Sequence, residues 1–179
     1  MEPFTLVVFL ISAFVVAFLY NRLVSARQRV REAWSAVDVQ LQRRASLIPN
    51  LVETVKGYAS FERDTLRKVT EARAAVGSAA GPRAAAQASA DLGGALRTLV
   101  AVAEAYPELK ANERFAQLQA DLADTENQIA FARNYYNGAV EIYNITVERF
   151  PTMVIAGVFG FKPAEFFSAD TDAAAVPKA

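Results

Sequence analysis

The acids Asp121, Asp124, Glu126, Glu141 and Glu148, with the asparagines Asn127, Asn134, Asn137 and Asn144, are the side chains that invite a chemical reading. Carboxylates at helical spacing can hold a metal pair or move protons. A di-metal carboxylate site in a bundle needs Glu together with Glu-x-x-His pairs that project into the core. This chain has no histidine and no cysteine. That excludes thiolate zinc and iron–sulfur sites, disulfides, thiol nucleophiles and the Ser-His triad. What survives is a carboxylate-only metal hydrolase, a remote option. The expectation is therefore a protein that is not an enzyme, with no catalytic, cofactor or metal residue to assign. The 179 residues carry 19 basic and 19 acidic side chains. No basic excess points to nucleic acid as a partner.

The asparagines lie in "ENQIAFARNYYNGAVEIYNITVERFP", Glu126 to Pro151. A helix turns ~100° per residue. On that wheel one apolar stripe runs Phe115, Leu118, Leu122, Thr125, Ile129, Ala132, Tyr136, Ala139, Tyr143, Thr146 and Phe150, in alternating steps of three and four. Such spacing is the seam of a coiled-coil-like bundle. A second stripe, Phe131, Tyr135, Gly138, Ile142 and Ile145, sits roughly 110° around. Glu126, Arg133, Asn137, Glu141, Asn144 and Glu148 fill the remaining sector. The acids thus fall off both apolar stripes, which weakens the metal reading further. Two stripes mean neighbours on two sides. Either two helices of the same subunit cover them, or the second stripe is an interface with another subunit or protein. Asn127, Asn134, Asn137 and Asn144 read as a polar flank that fixes the register in which this helix docks, as amides beside a seam can do.

The elements that position these residues are helical nearly throughout. "PFTLVVFLISAFVVAFLY", Pro3 to Tyr20, carries no charge. As a helix it is ~27 Å long, enough for a hydrocarbon core. A cleavable signal peptide needs a basic start and a small-residue cleavage site. Here Glu2 precedes the run and "YNRLVSARQRVR" follows, so a retained anchor is expected. Arg22, Arg27, Arg29 and Arg31 on its C-terminal side place the soluble domain in the cytoplasm by the positive-inside rule. Residues 22–48 form one expected helix and 50–78 the next. Pro49 marks either a tight hairpin, the favoured reading, or a kink in a single rod. "VGSAAGPR" reads as a turn, residues 84–105 as a third helix, and 108–150 as a fourth that overhangs it. The overhang requires a partner. The boundaries expected are 1–21 for the anchor, 22–150 for the bundle, 151–167 for a short apolar segment and 168–179 for a disordered tail. The segment after Pro151 either caps the bundle or touches membrane. Trp34 reads as core. Arg43 and Arg44 read as a solvated face, with pairing to acids on a neighbouring helix or contact with lipid phosphates as the other options.

"YNRLVSARQRVREAWSAVDVQLQRRASLIPNLVETVKGYASFER", "TENQIAFARNYYNGAVEIYNITVERFP" and "IAGVFGFKPAEFF" together resemble the LemA family of bacterial membrane proteins. The resemblance covers about residues 4 to 167. It implies one N-terminal membrane helix, an antiparallel bundle of long helices, and no established activity or cofactor. It also implies kinship with a protein used in building bacterial magnetosome membranes. Trp34, Pro49, Asn50, Gly57, Tyr58, Asn127, Tyr136, Asn137, Tyr143, Asn144, Phe150 and Pro151 match signature positions of the family that carry no assigned role. Phe61 stands where many relatives have histidine.

The fold expected is all-α: one transmembrane helix, then an up-and-down bundle of about four long helices. The function expected is a self-assembling scaffold at the bacterial cytoplasmic membrane, with the lipid bilayer and further copies of the chain as partners. An adaptor that binds another membrane or signalling protein is the alternative.

Overall fold

The computed structural model describes residues 3–59 and 61–169. The described residues form helices and connecting turns, with no strand among them. The elements are α1 (Pro3–Lys56), α2 (Arg63–Ser78), α3 (Pro82–Ala103), α4 (Pro107–Lys110), α5 (Glu113–Glu148) and α6 (Thr152–Phe159). An extended strap, residues 161–169, follows. The expected tail lies, from residue 170 on, outside the described residues. Ala169 is buried and Ser168 half-buried.

α1 is one rod through Pro49, so the expected hairpin at Ile48–Pro49 does not form. Proline removes one N–H from the helical ladder and frees the carbonyl four residues back, on Ala45. That carbonyl is taken by Arg73 of α2, whose Nε donates to it at 2.9 Å. The defect is satisfied from a neighbouring helix and the rod continues. The reversal falls instead at Gly57–Glu62, where the Tyr58 and Ala59 N–H groups both bond the Val55 carbonyl. The inner face continues across this turn: Val55, Ala59, Leu66 and Val69 are buried.

The Ala79–Gly81 turn joins α2 to α3, and Gly81 adopts φ +88° directly before Pro82. The expected fourth helix is two pieces. A break at Ala111–Asn112 separates α4 from α5, and the Asn112 side chain caps α5 by accepting the Phe115 N–H at 3.0 Å. Such a cap is worth ~1 kcal/mol.

The long helices α1 and α5 run antiparallel and make the main contact of the molecule. Trp34 stacks edge-on against Tyr136, and Arg44 meets Glu126, which fixes their register. Two cores lie along this pair. In the distal one, Ile48, Leu51, Val55, Leu66, Val69, Leu92, Leu99, Leu109 and Phe115 join α1, α2, α3, α4 and α5. In the proximal one, Leu19, Leu23, Val37, Tyr136, Val140 and Tyr143 of α1 and α5 meet Ile155, Phe161 and Phe167 of α6 and the strap. The strap thus takes the place beside α5 that the shorter α2–α3 hairpin does not reach. It covers one side of the overhang.

Up to about Tyr20, α1 is long and apolar enough to cross a bilayer, and almost none of that window is buried.

Candidate functional site

The chemistry-bearing side chains of α5 separate into three groups. The main stripe is core: Phe115, Leu118, Thr125, Ile129, Ala132, Tyr136, Tyr143 and Thr146 are buried. Leu122 and Ala139 of the same stripe are half-buried, and Phe150 is exposed, at 75%, because α5 ends at Glu148 before reaching it. Val140, absent from the expected stripe, is fully buried.

The polar flank carries the strap. The Asn144 amide donates to the Ala164 carbonyl at 3.0 Å and accepts the Ala164 N–H at 2.7 Å. Asn137 does the same with Phe167, at 3.3 and 2.9 Å. Each amide therefore satisfies both backbone groups of one strap residue, as a neighbouring strand would. Tyr143 donates its hydroxyl to the Lys162 carbonyl at 3.0 Å, and Tyr136 donates to the Glu165 carbonyl at 2.7 Å. The geometry repeats because two pitches agree. Seven helical residues rise ~10.5 Å, and three extended residues span ~10 Å. Tyr-Asn pairs a heptad apart on α5 thus meet strap residues three apart, with the chains antiparallel. The amides dock an extended backbone, rather than a second helix. Asn127 and Asn134 lie on the same helix but exposed.

Burial of the Tyr136 ring pushes its hydroxyl up to about 12, with a smaller push from the Glu165 charge. Burial raises Tyr143 as well, against the opposing pull of Arg27 and Arg31. Both hydroxyls remain protonated donors at any physiological pH.

Two of the five acids, Asp124 and Glu126, tie α5 to α1, while Asp121 accepts from Gln117 within α5. Asp124 pairs with Arg43 at 3.2 Å and Glu126 with Arg44 at 2.8 Å. Arg44 is therefore no solvated residue: it is buried in the bundle, and it also donates to Ser89 of α3 at 3.4 Å. Burial lowers its pKa, Glu126 opposes that, and Arg97 adds to it. Gly93 leaves it room, since a Cβ there would come within 3.3 Å of the guanidinium. A cleft of about 260 Å³ opens beside this cluster, between α3 and α5. Trp34 is half-buried and packs on the proximal core.

The second stripe faces solvent. Phe131, Tyr135, Ile142 and Ile145 are 74, 56, 59 and 52% exposed. Gly138 lies between them with nothing within 4 Å of where a Cβ would stand. Tyr135, Gly138 and Ile142, with Asn134 and with Ala26 and Arg29 of α1, wall an open depression of about 520 Å³. Among the described residues, no helix covers this face.

The family model that matches this chain is the LemA family, over residues 33–179. The chain belongs to the LemA family. It is similar to Magnetosome protein MamQ 2 of Paramagnetospirillum magneticum, 28% identical over 183 aligned positions that cover 87% of this chain and 67% of that protein. Magnetosome protein MamQ of Magnetospirillum gryphiswaldense is 26% identical over the same shares. Protein LemA of Metamycoplasma hominis is 24% identical, covering 86% of this chain and 72% of its own. The match to the LemA family takes in most of α1 beyond its apolar start, and all of α5 with its Tyr-Asn pairs.

The strap was invisible as a ligand in the sequence. Its partners on α5 recognise backbone, so no complementary side chain in "FKPAEFFSA" announces the contact. The heptad repeat of Tyr-Asn at 136–137 and 143–144 was the available signal.

Proposed function

We propose that this LemA-family chain is a non-enzymatic scaffold of the bacterial cytoplasmic membrane. The start of α1 is its single-pass anchor, and the bundle stands on the cytoplasmic side. Copies associate through Phe131, Tyr135, Gly138, Ile142 and Ile145.

The observation that carries the reading is the solvent-facing apolar stripe on α5, a helix whose other apolar face is already filled. Isolated exposed apolar residues are ordinary, but a contiguous patch marks an interaction surface. The anchor adds to this. Anchored copies share one plane and one height, so identical stripes meet without a search in the third dimension. The unbroken helix from Pro3 to Lys56 supports a retained anchor, because no turn or extended segment separates span from bundle. Arg22, Arg27, Arg29 and Arg31 support the cytoplasmic side. Protease protection of the bundle in spheroplasts is the expected result, and free digestion from outside rejects that orientation.

The test of association is the size of the full chain in mild detergent. The wild type is expected as an oligomer, and Ile142→Asp as a monomer with unchanged helix content. A wild type that stays monomeric at high concentration sinks the scaffold. A stoichiometric foreign partner after crosslinking, without homo-oligomers, turns the same stripe into an adaptor surface.

A further inference from the structure

α6 carries an apolar face that the bundle does not use. Its buried side consists of Thr152, Ile155 and Ala156, against Leu19 and Leu23 of α1. Its other side shows Met153, Val154 and Val158 to the outside, the last 75% exposed, with Phe150 beside them. Thr152 is the polar residue of the helix, and it is turned inward, where its hydroxyl donates to the Thr146 and Arg149 carbonyls. A helix facing water would place its polar residue outward. This one does the reverse.

Its height explains the inversion. The α1–α5 register, carried on from Arg44–Glu126 and Trp34–Tyr136, sets Phe150 level with Tyr20, the end of the apolar span. Phe159 of α6 lies 4.9 Å from the Tyr20 ring and Phe161 lies 5.8 Å from it. Phe159 also closes one side of a slot of about 520 Å³ along α1, which reaches from Phe9 past Ala13 and Val16 to Tyr20. That stretch of helix is ~16 Å tall, about one leaflet of a hydrocarbon core. Above it, Arg22, Arg149 and Lys162 are exposed at the level where lipid phosphates stand. The strap clamp ties α6 down from its far end, so the helix is held at this height from both sides.

We propose that α6 is an interfacial membrane element: Met153, Val154, Val158 and Phe159 lie in the acyl region of the leaflet beside the anchor, and an acyl chain fills the slot between Phe159 and α1. The proposal rests on the anchor reading above. The molecule then occupies more area in the leaflet beneath the bundle than in the opposite one, by the cross-section of α6.

The absence of native cysteine allows single-site labels in the full chain reconstituted in phosphatidylglycerol-containing vesicles. Val158→Cys, Met153→Cys, Phe14→Cys in the span and Lys68→Cys on α2 each carry an NBD probe, quenched by lipids spin-labelled near the top or, in a second set, near the middle of the acyl chain. Probes at 158 and 153 are expected to lose emission as the probe at 14 does, while the probe at 68 keeps it. Loss at 14 without loss at 153 and 158 overturns the α6 proposal and leaves the anchor standing. No loss at 14 removes the anchor and the proposal with it. Protection of 158 from spin-labelled lipid, with disulfide crosslinks between Val158→Cys copies, assigns the face to a second copy and overturns the proposal too.

Discussion

Replacing Asn137 and Asn144 together by alanine removes four hydrogen bonds from the strap and leaves its backbone groups at 164 and 167 without partners. At ~1 kcal/mol for each bond, the expected loss is about 2–4 kcal/mol of the stability of the proximal half, read as a lower melting temperature. The strap amides are expected to lose hydrogen-exchange protection first. A melting curve and exchange pattern unchanged from wild type would remove the clamp from the account. The Tyr136 hydroxyl titrates higher in the folded chain than in the unfolded one. Its contribution is therefore fully present below pH ~10 and lost as pH rises through about 12. Its share of the melting temperature is expected to be flat below that window and to fall within it. Tyr136→Phe should be less stable at neutral pH and should show a smaller alkaline fall. Legibility at this scale was uneven. The tyrosines were correctly placed on the inner face by spacing alone. Arg44 was not, because a buried guanidinium is indistinguishable from a solvated one until its acid and its neighbouring glycine are placed.

Among the elements, the break in the first hairpin gives the sharpest lesson. Pro49 was the strongest local stop signal, yet the rod passes through it and turns after Gly57. The residue that neutralises the proline is Arg73, far along the chain, and nothing near Pro49 encodes it. A double-mutant cycle tests this. Arg73→Ala is expected to cost about 1–2 kcal/mol in the native background, where it strands the Ala45 carbonyl. In a Pro49→Ala background the restored helical N–H fills that carbonyl, and Arg73→Ala should cost much less. Equal costs in both backgrounds would show that Arg73 acts otherwise. By contrast, the apolar stripes survived the misplaced boundaries. A 3.6-residue period needs only local residues to be read, whereas an end depends on whichever tertiary partner takes the free backbone groups.

For the whole molecule, the all-α bundle on an apolar N-terminal helix was legible in the sequence, and the LemA-family match agrees with it. The different make-up of its two halves was not. The distal half packs α2, α3 and the short α4 against α1 and α5, while the proximal half packs α6, the strap and only the start of α3, Ala85 and Ala86, against them. The open stripe on α5 follows from this asymmetry, since α2 and α3 lie elsewhere and the strap takes the opposite flank. If Ile142→Asp and Ile145→Asp each abolish association, while Asn127→Ala and Asn134→Ala leave it intact, the interface is apolar and the exposed amides are bystanders. Loss of association in the asparagine variants would reverse that assignment.

α1 spans 54 residues, ~80 Å, without a swivel. From Tyr20 to Lys56 it rises ~54 Å above the apolar span. A membrane helix commonly tilts by ~20°, and a rod of this reach would carry that tilt to the Gly57–Glu62 turn as a sideways swing of roughly 18 Å. With the anchor proposed above, the molecule would be a lever with its fulcrum in the bilayer. Any change in thickness or lipid order that reset the angle of that anchor would be multiplied at the tip, and copies standing on the same sheet of lipid would feel it as a change in the spacing between their crowns.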